Sequence, residues 1–296
     1  MFFNQRWLLL FFIAVLALAA CKTNKQAAEF AITDVKFSAD VDTCKCGGYN
    51  NLVRVGSYDK KYYCALKYYK NKKYDKAMGL FEELAPIGKG GQRGEECAFL
   101  FAFSNFHVED YESASFYFMV FNKNYPYSTH AEEAAYMVAY CAYLSSPDFN
   151  LDPTNTYRAM QELQLFIDRY PTSARIGTCN TLIDKLRHKL EVKEFTLAKQ
   201  YYRMRQYKAA IQSFKNVMND YPETAYREEC VYLIIKSAYE YAEESVDSRR
   251  YERYKTAVDN YITFKDKFPQ SARLAEVTEI YSKSLELMEK YKPFKV

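Results

Sequence analysis

One phrase constrains the fold more than anything else in this chain. It is read most cleanly at 207–222 as YKAAIQSFKNVMNDYP, with a skeleton of Tyr207, Ala210, Phe214, Val217 and Pro222. Steps of three and four place the apolar members on one face of a helix. The proline suits a helix that must stop there. The skeleton returns as Tyr254, Ala257, Tyr261, Phe264, Pro269 and as Tyr111, Ala114, Phe118, Phe121, Pro126. It stands again as Ala159, Leu163, Phe166, Pro171, with Thr156 in place of the leading Tyr. A first copy reads Tyr74, Ala77, Phe81, Leu84, with Lys89 where the proline would fall. Five copies of one amphipathic helix make a repeat protein, in which each unit buries its apolar face against its neighbours.

Composition agrees with a helical array. Among 296 residues there are only 8 Pro and 9 Gly. The 29 Tyr against 1 Trp are read as packing residues of helical repeats. Charges are mixed, 41 Lys and Arg against 37 Asp and Glu, for a net of +4. That balance, with no basic run beside stacking aromatics, argues against a nucleic-acid partner.

The N-terminus carries a targeting pattern. Arg6 precedes an uncharged run from Trp7 to Ala20. That run is shorter than the roughly 20 residues a membrane-spanning helix needs. A basic start, a short apolar centre and small residues at the end describe a secretory signal. The end, Leu18-Ala19-Ala20-Cys21, resembles the lipobox of bacterial lipoproteins, in which the cysteine is acylated and becomes the new N-terminus. The expectation is a signal peptide over 1–20, a lipid on Cys21 and a tether over 21–56. A short strand over Ala31 to Val41 is an expected element of that tether. Lys22 follows the cysteine, so the Asp of the enterobacterial inner-membrane retention signal is absent. The site expected for the mature chain is an outer membrane, on its periplasmic face.

The rest, 57–296, divides into repeats at about 58–89, 95–126, 129–171, 173–222 and 224–269, with a capping helix at about 271–291. The phrase Ala recurs at 77, 114, 159, 210 and 257, so the gaps run 37, 45, 51 and 47. These exceed the roughly 34 residues of a simple tetratricopeptide repeat. The surplus falls mostly before the second helix of each hairpin. In the fourth repeat it predicts one unbroken first helix from about Ala174 to Arg205. The expected fold is therefore all-α, a tetratricopeptide-like solenoid of about five hairpins with elongated helices and a C-terminal cap.

At 181–224 a more specific pattern stands: TLIDKLRHKLEVKEFTLAKQYYRMRQYKAAIQSFKNVMNDYPET. The order Leu186-Arg187, Lys189-Leu190, Lys193-Glu194, Ala198, Tyr201-Tyr202, Tyr207, Ala209-Ala210, Phe214, Tyr221-Pro222 resembles the BamD (YfiO) family. These are lipoproteins of the outer-membrane β-barrel assembly machinery. With the lipobox and the stretched repeats, the resemblance covers essentially the whole mature chain. It departs in its long tether and in Cys44 and Cys46. It implies a non-enzymatic scaffold whose C-terminal repeats dock on a BamA-like barrel subunit, beside other assembly lipoproteins. It implies N-terminal repeats that receive unfolded outer-membrane proteins. Two other classes compete: a cell-wall organiser built from similar repeats, and a nutrient-binding outer-membrane lipoprotein. The stretched repeats argue against the first. The share of the chain taken up by repeats argues against the second.

Catalytic and cofactor patterns are not visible in the sequence. His107, His130 and His188 pair with no Cys or Ser at a triad-like spacing. No glycine-rich loop follows a strand. Glu82-Glu83 and Glu95-Glu96 read as solvated helix ends. With Cys21 lipidated, seven cysteines remain. Cys179 and Cys230 each lie eight residues after a phrase proline, where Ala134 stands after Pro126, so small buried roles are expected there. Cys64, Cys97 and Cys141 fall on first helices and share that reading. Cys44 and Cys46 suit either a metal ion or a tight disulfide, but two ligands alone carry little weight.

Template positions also mark a candidate peptide groove. They fall on Tyr62, Leu66 and Tyr69 in the first repeat and on Phe99, Phe103 and Phe106 in the second. Either a neighbouring segment covers these residues, or they form an exposed aromatic patch for apolar strands of a substrate.

Overall fold

The computed structural model describes residues 39–292. Every regular element among them is a helix. Two short helices come first, α1 (Ala39–Thr43) and α2 (Tyr49–Val55). Hairpins follow as α3 (Tyr58–Lys70) with α4 (Tyr74–Ile87), α5 (Gln92–His107) with α6 (Tyr111–Asn124), and α7 (Ala131–Leu144) with α8 (Thr154–Arg169). Then come α9 (Ile176–Arg203) with α10 (Tyr207–Asp220), α11 (Arg227–Glu243) with α12 (Asp247–Lys267), and a last helix, α13 (Leu274–Lys290). The fold is all-α and tetratricopeptide-like.

Two compact units divide the chain. Among the described residues, 39–146 together with 154–180 form the first, and 147–153 with 181–292 form the second. In the first, each helix from α3 to α8 packs on the next; in the second, α10 to α13 do the same and α11 also meets α13.

The repeated phrase is the core. Ala77, Phe81 and Leu84, then Ala114, Phe118 and Phe121, are fully buried. Ala159, Leu163 and Phe166, Ala210, Phe214 and Val217, and Ala257, Tyr261 and Phe264 are buried in their turn. Small side chains on the partner helices, Ala65, Ala102, Ala198 and Ala238, let backbones approach and leave room for the aromatic. Cys179, Cys230, Ala134 and Val277, each eight residues past a phrase proline, are all fully buried.

Turns repeat as closely as cores do. Lys72, Glu109 and Arg205 each stand two residues before a phrase Tyr, and each has a positive φ (57°, 65° and 61°). The following amide reaches back five residues: Lys73 N to Tyr68 O at 2.8 Å, Asp110 N to Asn105 O at 3.1 Å, Gln206 N to Tyr201 O at 2.9 Å. This is the left-handed helix stop that satisfies the last carbonyls and reverses the chain.

A second repeated device joins one hairpin to the next. Two residues after each phrase proline stands Ser128, Ser173, Thr224 or Ser271, whose hydroxyl accepts the amide two residues on, at 2.9–3.1 Å. Three of them also donate to a glutamate in the first turn of the preceding repeat's first helix. The pairs are Ser128 to Glu95 at 2.6 Å, Ser173 to Glu132 at 2.7 Å and Ser271 to Glu228 at 2.8 Å. Glutamate is favoured there by the helix dipole.

The segment 39–56, expected as part of a tether, is built onto the first hairpin instead. Val41 and Leu52 are buried. Tyr49 meets Tyr68 edge-on at 5.9 Å, and its hydroxyl lies where a Cβ on Gly79 would stand, 2.6 Å away. Residues 39–41 are helical rather than the end of a strand. The remainder of that expected strand, 31–38, lies outside the described residues.

Candidate functional site

The six groove candidates lie inside the first unit and none is exposed. Tyr62 is 7% exposed, Leu66 3%, Tyr69 1%, Phe99 3%, Phe103 1% and Phe106 7%. The next helices cover them. Tyr62 donates its hydroxyl to Glu96 at 2.6 Å, and the Arg93 guanidinium lies 4.9 Å from its ring, both from α5. Tyr69 packs on Tyr74 and Phe81 of α4, and its hydroxyl meets His107 Nε2 at 3.2 Å. Phe103 contacts Phe118 of α6 at 4.8 Å. Phe99 stacks on His130 at 4.5 Å, and Phe106 reaches Tyr140 of α7 at 6.2 Å. An open aromatic groove at these six positions is not what this conformation presents. Each first helix is apolar on two faces because it serves its own hairpin and the following one.

Three of the four glutamates expected as solvated ends are engaged, while Glu82 is exposed as expected. Glu83 pairs with the buried Lys61, Glu95 takes Ser128 and Glu96 takes Tyr62.

His107 sits in the aromatic cluster, stacked on Tyr74 at 4.1 Å. Burial, and secondarily the Lys72 charge, pull its pKa down to about 4. At neutral pH it is an uncharged packing residue.

Open apolar surface in the first unit lies elsewhere. A hollow of about 630 Å³ opens among α6, α7 and α8, floored by Val138 and Phe166 and flanked by Met119 and Leu165. Leu165 is 60% exposed and Met119 38%. Lys123, Glu162, Asp168 and Arg169 ring it. The hollow thus offers apolar surface with charge of both signs at the rim.

The second unit is dressed with charge over an apolar core. Phe195 and Ala198 of α9 pack with Ala210, Phe214, Cys230 and Ile234. Lys189 donates to Pro147 O at 3.0 Å, and Lys193 to Phe149 O at 3.2 Å and Leu151 O at 2.6 Å. Part of the extra length of α9 therefore holds the 147–153 loop. Tyr202 and Tyr207 donate to Glu240, and Arg205 pairs with Glu244. The last helix is clamped to α11. Glu276 accepts from Lys236 at 2.9 Å and from Tyr232 at 2.8 Å, and the Lys236 hydrogen bond holds its carboxyl below the ordinary value. Val277 is buried in that seam, and Tyr281 stacks on Tyr261 of α12, 4.2 Å apart.

Cys64, Cys97, Cys141, Cys179 and Cys230 are fully buried. Cys44 and Cys46 are partly buried beside Cys64, a proximity that sequence reasoning missed because Cys64 belongs to another element. Cys21 lies outside the described residues. Among the described residues no helix is long and apolar enough to cross a membrane.

The fold defines a tetratricopeptide-like repeat protein whose buried side chains are organised for packing helix on helix. The chain belongs to the family described as YfiO: Outer membrane lipoprotein, which matches residues 56–251, from the end of α2 into α12. It is similar to the outer membrane protein assembly factor BamD of Rickettsia prowazekii (strain Madrid E), 25% identical over 166 residues, 56% of this chain and 66% of that protein. It is also similar to the factor of the same name in Caulobacter vibrioides, 27% identical over 113 residues, 38% of this chain and 37% of that protein. The alignments thus span 66% or less of these curated relatives. Among solved structures, the P58(IPK) TPR domain aligns with a TM-score of 0.38 and 14% identity, over 83% of this chain and 69% of that one.

Proposed function

We propose that this chain is a non-enzymatic scaffold lipoprotein of outer-membrane β-barrel assembly, anchored through a lipid on Cys21 at the periplasmic face. The observation that carries the reading is the family match across residues 56–251, with relatives whose name is outer membrane protein assembly factor. The second unit, α9 to α13, docks on a BamA-like barrel subunit and its companion lipoproteins. Its support is an elongated first helix and a capped end dressed with charge over two apolar core clusters. The first unit receives unfolded barrel strands. Because the six candidate positions, five aromatic residues and Leu66, are buried, the surface for that role is the hollow between Met119 and Leu165.

The test is affinity purification of the full chain from membranes in mild detergent. Co-purification of a barrel subunit with periplasmic repeats is expected, and loss of it on deleting 271–296, with the remaining helices still folded by circular dichroism. Full binding by the truncated chain would remove the C-terminal helix from docking. Absence of any barrel subunit from the intact chain would overturn the reading. Cys21→Ser is expected to release the protein from membranes or to block signal removal.

A further inference from the structure

Three thiols converge beside the first hairpin. Cys44 and Cys46 stand in the link between α1 and α2, and Cys64 stands in the middle of α3. Sγ of Cys44 is 3.1 Å from Sγ of Cys64, and all three sulfurs lie within 4.8 Å of one another. The backbone that carries the first two is held in place. Cys44 N donates to Asp40 O at 3.1 Å, and Lys67 Nζ, one turn beyond Cys64, donates to Asp42 O at 2.9 Å and Cys44 O at 2.8 Å. Lys70 grips the Asp42 carboxylate at 2.8 and 2.9 Å. Gly47, with φ of 66°, turns the chain immediately after Cys46.

A zinc–thiolate bond is about 2.3 Å. Sulfurs sharing one ion therefore stand about 3.8 Å apart in a tetrahedral site and at most about 4.6 Å apart. Cys44 and Cys64 Sγ, at 3.1 Å, stand closer than that and all three sulfurs lie within 4.8 Å, so a small outward turn of the side chains would seat one ion. A disulfide would use two of them and leave the position of the third without a reason, whereas one ion uses all three. The donor set is sulfur alone, which selects a soft or borderline ion over magnesium or calcium. Cys64 is fully buried and the other two are partly exposed, so an ion and a fourth ligand such as water would enter from the Cys44 and Cys46 side.

We propose that Cys44, Cys46 and Cys64 bind one thiophilic d10 cation of the zinc class as three thiolates, fastening the 39–48 segment to the first hairpin. The three S–H protons leave to solvent on loading, and no oxidant or reductant is involved. Binding to the folded chain alone raises its stability by mass action.

The test uses the full chain in mild detergent, purified under reductant, with Cd²⁺ alone as the probe. One equivalent is expected to bind with a sulfur-to-metal charge-transfer band in the ultraviolet and a rise in melting temperature. Cys46→Ser, at a partly exposed position, should fold normally and lose both signals. Cys141→Ala, at a buried cysteine on α7, should keep both. An equal response from wild type and Cys46→Ser, or none from wild type, would overturn the site. So would a Cys44–Cys64 or Cys46–Cys64 disulfide, found by mass spectrometry in protein alkylated on harvest without reductant.

Discussion

Ser128 donates its hydroxyl to the Glu95 carboxylate at 2.6 Å while accepting the amide of His130 at 2.9 Å. One side chain thus stops the turn after α6, starts α7 and ties both to the first turn of α5. Ser173 with Glu132 and Ser271 with Glu228 repeat the arrangement. Hydrogen bonds to a charged acceptor contribute about 1.5–3 kcal/mol when buried, and less where water competes. Ser271→Ala and Glu228→Ala should each destabilise the chain, with a coupling of about 1 kcal/mol in a double-mutant cycle by denaturant unfolding. Additive losses would mean the two residues act separately.

Phe103→Ala tests whether the aromatic positions are core. Phe103 is 1% exposed and contacts Phe99, Phe106 and Phe118. Removing a buried phenyl ring costs about 3–5 kcal/mol. A large fall in melting temperature is expected. Wild-type stability with impaired peptide capture would return Phe103 to an open groove.

Cys230 fills a fully buried site that Ala134 fills elsewhere in the array. Cys230→Ala is expected to be mild, whereas Cys230→Leu should cost roughly 1–3 kcal/mol by overpacking. Burial pushes its thiol up to about 12, so alkylation of the native protein should spare it. Rapid labelling of Cys230 without unfolding would contradict this.

Acid should weaken the first unit through His107. Its pKa is about 4 when folded, against 6.5 as its ordinary value. Between those values the unfolded chain binds the extra proton, so stability rises with pH. It is complete above about 6.5 and is lost as pH falls toward 4. The loss is at most about 3 kcal/mol. His107→Gln should show a shallower fall in melting temperature from pH 7 to pH 5 than wild type. Equal slopes would assign the acid response to other groups.

Glu109 is exposed and holds a φ of 65°, in the left-handed region where a Cβ is unfavourable. Glu109→Gly should leave stability unchanged or raise it by up to about 1 kcal/mol. Glu109→Val should lower it. The comparison is made by chemical denaturation.

Periodicity made the helical faces legible before any coordinates. The phrase from Tyr207 to Pro222 and its copies name the residues that fill each hairpin, because a step of three or four along a helix is a local property. The small positions at Cys179 and Cys230 followed from the same register. Sequence also carried the family pattern between Thr181 and Thr224. What covers the opposite face of a helix is not local. Tyr62, Tyr69, Phe99 and Phe103 are buried because the next helices, set by turns at Lys72 and Glu109, lie over them. Glu95 and Glu96 look solvated on their own helix, yet they meet Ser128 and Tyr62, each more than thirty residues away. Cys64 joins Cys44 and Cys46 only because α1 and α2 fold back onto α3. Sequence determined which face each helix must bury. Tertiary packing alone decided which distant side chains meet there, since contact depends on the angle and offset between helices and not on the period within one.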